Sequence, residues 1–226
     1  MMTTSVDGNG FPRAAAPDKP FHPALRVAAR VISILFHPLF IPVYVSWFLI
    51  YVNPIFPAFT AKDKGVLLVR FMVMYTLFPL ATVLLTRGLG FIESIYLRTQ
   101  KDRIIPYIAC GVYYFWMWYV LRNQLFPKEL VMFTLAIFLA SSGGLLANSY
   151  IKVSMHAISL GVMVTFMLLM AFLSPASFGF YLGVAFLIAG VVGSARLINN
   201  DHYPIEVYAG FIVGILSQLI AYFVVF

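Results

Sequence analysis

Long apolar runs constrain the fold of this chain more than any other feature of its sequence. The runs cover approximately residues 28–52, 65–86, 107–121, 130–146, 157–173, 178–192 and 205–226. A helix that crosses the hydrocarbon core of a bilayer needs roughly 20 apolar residues. The sequence therefore predicts an all-α, polytopic bundle of seven transmembrane spans. The prolines at positions 38 and 42 interrupt the first run. If that run only dips into the bilayer, the count is six spans, which is the alternative prediction.

Composition agrees with a membrane-embedded domain. The chain is 62% hydrophobic and only 10% charged, and Cys110 is its single cysteine, which excludes disulfides and cysteine metal sites. The net charge of +7 is scattered among loops, so anionic lipid is a better explanation for it than nucleic acid. We expect a disordered tail at 1–26, then one transmembrane domain at 27–226. We also expect a multi-pass protein of a bacterial inner (cell) membrane.

One short polar stretch, 194–210, separates the last two apolar runs. It contains Arg196, His202 and Glu206, and ionisable residues at the end of a span are by default suspected of function. Arg is a planar cation suited to phosphate, and His is a nucleophile or proton carrier near neutral pH. A carboxylate four residues further on is placed to orient that imidazole. Gly210 and Gly214 form a small-xxx-small pair, which predicts close helix packing.

Two more polar patches are expected on the same membrane face. Residues 98–106 contain Lys101 and Arg103, and residues 148–156 contain Lys152, Ser154 and His156. Two predicted spans separate each patch from the next, so all three loops emerge on one side. Several cations and two histidines at one surface favour phosphoryl transfer over a divalent-metal site, which so many neighbouring cations would oppose.

These patches resemble the signatures of the type 2 phosphatidic acid phosphatase superfamily. Arg196, five residues, His202, three residues and Glu206 resemble the third signature, which is Ser-Arg, five residues, His, three residues, Asp. Val-Ser154-Met-His156 resembles the second, Pro-Ser-Gly-His. Lys-Asp-Arg103-Ile-Ile-Pro resembles the first, a Lys followed at a distance by Arg-Pro. Alanine stands where the third signature has Ser, glutamate where it has Asp, and methionine where the second has Gly.

The resemblance implies a core like that of the vanadium haloperoxidases and these phosphatases, with no metal or other cofactor. It implies that His202 is the nucleophile that becomes a phosphohistidine and that Glu206 orients it. It implies that His156 protonates the leaving group and then activates water. The phosphate-binding residues would be Arg196, Lys101, Arg103, Ser154 and Lys152.

We therefore expect an integral-membrane phosphatase that hydrolyses a lipid phosphomonoester or pyrophosphate. Candidate substrates are phosphatidic acid, phosphatidylglycerophosphate and polyprenyl pyrophosphate. Two alternatives stay open: a lipid phosphotransferase on the same scaffold, and a non-catalytic transporter or binding protein for anionic lipids. His37, in its kinked apolar run, is interpreted as a structural histidine.

Overall fold

A computed structural model describes residues 5–6, 12–13, 21–97, 99–173 and 178–226 of this chain. Its helices include two π-helical segments, Phe48–Val52 after α2 and Val73–Leu77 between α3 and α4. A short antiparallel pair joins β1 (Ser5–Val6) to β2 (Pro12–Arg13). The α-helices are α1 Pro23–Leu35, α2 Ile41–Trp47, α3 Ala61–Met72, α4 Phe78–Gly88, α5 Gln100–Asn123, α6 Lys128–Asn148, α7 Met155–Leu173, α8 Gly179–Ile198 and α9 Pro204–Val225.

Six helices in the described part of the chain are long and apolar enough to cross a membrane. The first is the continuous stretch Ala61–Gly88, formed by α3 and α4, and the others are α5 to α9. Apart from the short β1–β2 pair, the protein is therefore a helical, multi-pass membrane protein. The prediction of seven spans is not confirmed, because the apolar stretch Ile41–Val52 falls short of the roughly 20 residues that a bilayer requires.

The first apolar run is broken where the sequence predicts a kink. Helix α1 ends at Leu35, just before the dipeptide His37-Pro38, because a residue that precedes proline is disfavoured in α-helical conformation. Pro42 lies at the start of α2, where its missing N–H costs no hydrogen bond. The two halves then follow different paths, with α1 against α8 and α2 against α3 and α7.

Helices α7 and α9 pack closely against each other. A Cβ atom added to Gly210 would lie 2.7 Å from the carbonyl oxygen of Ser154 and 2.9 Å from the Cβ of Ala157. Gly214 likewise meets the backbone of Ile158. The predicted packing role of this glycine pair is confirmed. Their small size brings the start of α9 against the start of α7, where two of the polar patches lie.

Two helix boundaries differ from the expected ones. Helix α1 begins at Pro23, inside the range 1–26 expected to be a disordered tail; most of that range lies outside the described residues. The expected site loop at 98–106 is helical from Gln100 onward, with Pro106 inside α5. The Oγ1 of Thr99 accepts the N–H of Asp102 and caps this helix. The apolar run begins seven residues after the helix does, so hydrophobicity does not mark the helix start.

Candidate functional site

A cavity of about 710 Å³ opens among the helices and receives residues from all three polar patches. Arg103 comes from α5, Lys152 and His156 from the second patch, and Arg196 and His202 from the third. Arg30, on α1, adds another cation to the wall. Asp201 is the one carboxylate residue among the described residues that line it. The cavity is therefore suited to an anionic group.

His202 and Glu206 form the most sharply defined contact of the site. His202 lies in the turn before α9, and Glu206 lies in the first turn of that helix. The Nδ1–H of His202 donates to Oε2 of Glu206 at 2.7 Å, and the same oxygen accepts the backbone N–H of Tyr203 at 3.3 Å. The two side chains are only 3% and 12% exposed. With Nδ1 holding the proton, Nε2 of His202 carries the free lone pair.

The surroundings of His202 keep its imidazole neutral. Burial lowers its pKa below the usual 6.5, while the hydrogen bond to Glu206 opposes this shift, and the charges of Arg103 and Arg196 lower the pKa further. A neutral imidazole with an available Nε2 is the form that acts as a nucleophile.

His156 lies at the start of α7 and faces α1. Its Nε2 is 3.0 Å from the carbonyl oxygen of Ser33, so Nε2–H donates and Nδ1 remains for proton exchange. The ring is buried and lines the same cavity as His202. A second imidazole, His37, packs edge-to-face against it with ring centroids 5.4 Å apart.

Arg196 and Asp201 form an ion pair across the turn between α8 and α9. The Nη1–Oδ2 distance is 2.9 Å, and the carboxylate side chain is 44% exposed. Asn200 adopts a left-handed conformation (φ 55°), which Asn tolerates better than most residues, and this reverses the chain so that Asp201 returns to the arginine. The Nε of Arg196 is buried and has no hydrogen-bond partner among the described residues.

Arg103 and Lys152 differ in how their donors are used. The buried Arg103 donates from Nε to the carbonyl of Leu97 at 2.9 Å and from Nη1 to the carbonyl of Val153 at 2.7 Å. It therefore ties the second patch to the chain ahead of α5. Lys152 donates to the carbonyl of Asp201 at 3.3 Å, and partial burial lowers its pKa, with the charge of Arg103 adding to the shift.

Two predicted phosphate ligands are placed away from the cavity wall. Ser154 is fully buried, and its Oγ accepts the N–H of Ala157 at 3.4 Å as a cap of α7. Its own N–H donates to the carbonyl of Glu206 at 3.1 Å, which joins the second and third patches. Lys101 is exposed on the first turn of α5 and does not line the cavity. Phosphate binding by these two residues stays a prediction.

Sequence reasoning missed the contribution of the first apolar run. Arg30, Ser33 and His37 all line the cavity, although the run was interpreted as a kinked membrane segment with a structural histidine. The available signal was the spacing of three residues, which puts Arg30 and Ser33 on one helical face, with His37 following in the break after the helix. Within the described ranges, no group of three or more His, Cys, Asp or Glu residues is arranged to hold a metal ion.

Comparisons with known proteins identify no relative. No protein-family model matches the chain, and searches of curated proteins and of solved structures find no significant match.

Proposed function

We propose that this protein is an integral-membrane phosphatase that hydrolyses a phosphoric ester or pyrophosphate bond on a lipid. The observation that carries the proposal is the His202–Glu206 pair, which leaves Nε2 of His202 unprotonated in a cavity lined by cations. Catalysis of phosphoryl transfer depends mostly on positioning and on neutralising the phosphoryl oxygens. Arg196, Arg103 and Lys152 line the same cavity, and the charges of the two arginines act on His202.

The first chemical step is attack on phosphorus by the Nε2 lone pair of His202. A P–N bond forms while the bond to the leaving oxygen breaks, and that oxygen takes a proton from Nδ1 of a protonated His156. Glu206 stabilises the cationic imidazole that develops on His202. The carbonyl of Ser33 accepts the Nε2–H of His156 and holds that ring in place.

Hydrolysis of the phosphohistidine completes the cycle. A water molecule gives a proton to Nδ1 of His156 and attacks phosphorus, and the P–N bond breaks. Inorganic phosphate is released, and His156 is protonated again for the next turnover. A lipid alcohol in place of that water would make the protein a phosphotransferase.

The shape of the cavity supports a lipid substrate. Ile34 on α1 and Leu80 and Leu84 on α4 line the cavity and are also exposed on the outside of the bundle. We place the lateral access route between α1 and α4, where a hydrocarbon tail stays in contact with apolar side chains. The head group then meets the cations without leaving the membrane surface.

The test is phosphate release by the protein purified in detergent. Phosphatidic acid, phosphatidylglycerophosphate and polyprenyl pyrophosphate are each supplied with and without a chelator. We expect release that survives the chelator and is lost in His202→Ala and His156→Ala. His22→Ala is the matched control, because His22 only caps the exposed start of α1.

The outcomes separate the alternatives. Acid-labile phosphate trapped on the wild-type chain and absent from His202→Ala supports the phosphohistidine. Transfer of the label to a lipid alcohol supports the phosphotransferase. Lipid binding without turnover, unchanged in both histidine variants, supports the transporter or binding protein and rejects the phosphatase.

A further inference from the structure

The break between α1 and α2 is folded into a fixed turn beside the cavity. The backbone N–H of His37 donates to the carbonyl of Ile34 at 3.3 Å, and the carbonyl of His37 accepts the N–H of Phe40 at 2.8 Å. The Nδ1 of the same residue accepts the N–H of Leu39 at 3.3 Å. Because both the backbone and one ring nitrogen are bonded within the turn, the imidazole of His37 has a fixed direction.

A residue from another part of the chain secures the same turn. Thr76, in the π-helical segment between α3 and α4, donates from Oγ1 to the carbonyl of Leu39 at 2.9 Å. Short π-helical segments are rare and are frequently found at functional sites. Thr76 is buried and does not line the cavity. It therefore stabilises the turn without belonging to the surface that a substrate would contact.

His37 packs against the proposed general acid, His156. The two rings meet edge-to-face, with centroids 5.4 Å apart and an interplanar angle of 78°. The hydrogen bond from Nε2–H of His156 to the carbonyl of Ser33 holds one nitrogen of that ring. A hydrogen bond at one atom leaves a ring able to turn about the line of the bond, whereas a second ring packed against it restricts that rotation. The two contacts together direct Nδ1 of His156, the atom that exchanges the proton.

We infer that His37 is a positioning residue for His156, and that the turn at 36–40, secured by Thr76, is the part of the fold that holds it. The inference rests on the proposed function and adds residues that lie outside the three polar patches. His37 exchanges no proton in the proposed reaction. Its contribution is to keep Nδ1 of His156 directed at the leaving oxygen, since a misplacement of about 1 Å costs roughly 100-fold in rate.

The test compares two phosphate esters that differ in their need for an acid. The dodecyl oxygen of dodecyl phosphate needs a proton in order to leave, whereas 4-nitrophenyl phosphate releases a stable phenolate anion. The kcat/KM value reports the step that expels the leaving group, before hydrolysis of the phosphohistidine. For His37→Ala, it should fall about 10- to 100-fold on dodecyl phosphate and less than about three-fold on 4-nitrophenyl phosphate.

Three more variants separate positioning from general damage. His37→Phe keeps a ring against His156, so it should recover most of the activity that His37→Ala loses. Thr76→Val loses the hydrogen bond to Leu39, so it should lower kcat/KM about three- to ten-fold on dodecyl phosphate alone. Thr134→Val is the matched control and should change neither value. Thr134 is a buried threonine outside the cavity, and its Oγ1 bonds within its own helix.

NMR of the imidazole rings provides a readout without turnover. The chain has four histidines, so histidine-labelled protein in detergent gives few ring signals, and replacing one histidine at a time assigns them. The ring current of His37 shifts the ring protons of His156, so His37→Ala should move the His156 signals more than those of His202.

The outcomes distinguish this inference from the proposed function. Equal losses on the two esters, no loss on either, or unmoved His156 signals in His37→Ala would overturn the positioning role. If wild type hydrolyses neither ester while His37→Ala moves the His156 signals, the phosphatase and the catalytic part of the inference both fail, and only the ring contact stands. If His37→Ala does not fold, Thr76→Val decides the question.

Discussion

Replacing Glu206 with glutamine tests the catalytic pair at a single atom. In the native chain, Oε2 accepts both the Nδ1–H of His202 and the N–H of Tyr203. A glutamine amide has one oxygen and one NH2 group. Because two donors converge on the Oε2 position, the amide must place its oxygen there, and His202 keeps its proton on Nδ1.

The expected loss follows from the charge alone. A hydrogen bond to a charged group contributes about 1.5–3 kcal/mol, whereas a bond between neutral groups contributes about 0.5–1.5 kcal/mol. The difference of about 1–1.5 kcal/mol corresponds to a rate loss of roughly ten-fold. Glu206→Ala removes the acceptor as well, so it should cost about 2–3 kcal/mol, or roughly 30- to 150-fold.

The measurement is kcat and KM for phosphate release from the best lipid substrate. The loss should lie in kcat, because Glu206 acts on the charge that develops on His202 and does not line the substrate cavity. Glu129→Gln is the matched control, a carboxylate in the first turn of α6. A thousand-fold loss in Glu206→Gln would refute the fixed tautomer. Full activity in Glu206→Ala would refute the orienting role.

Three further predictions follow from the same contacts. The lowered pKa of His202 means that protonation of this nucleophile should reduce kcat/KM only below pH 6.5, and thermal stability should fall over the same acidic range because protonation favours the unfolded state. Gly210→Ala places a Cβ 2.7 Å from the Ser154 carbonyl, so it should destabilise the protein by about 1–3 kcal/mol in a thermal melt in detergent. Lys101→Ala should change activity less than about two-fold, whereas Arg103→Lys, which loses the fork that bridges two backbone carbonyls, should reduce it about ten-fold or more.

Each of these three predictions has a control variant or an outcome that would contradict it. An acidic limb centred above pH 6.5 would mean that burial does not dominate the pKa of His202. Gly183→Ala, where an added Cβ meets nothing within 4 Å, should not lower the melting temperature. If Lys101→Ala and Arg103→Lys lose activity equally, the exposed lysine reaches the substrate and the phosphate-binding role predicted for it is supported.

The membrane class and the positions of the long helices were predictable because they depend on local sequence. Each of the six candidate spans overlaps an apolar run, and hydrophobicity over about 20 residues is enough to require bilayer burial. The contact between His202 and Glu206 was also foreseeable, because a spacing of four residues at a helix start limits how far apart the two side chains lie. The start of α5 was missed because a cap on Thr99, and not hydrophobicity, begins that helix.

A helical membrane protein was predictable from the apolar runs alone, and span parity predicted three polar patches on one face, since apolar length and parity are read along the chain. Which of those residues share a cavity depends on how the helices pack. Ser154 and Lys101 lie in stretches that resemble family signatures, yet one caps a helix and the other faces outward. Ser33 and His37 match no signature, yet the packing of α1 against α8 and the break after it bring them beside His156. The reason is that the direction of a side chain near a site depends on packing between helices that are far apart in sequence. No local sequence pattern encodes that packing.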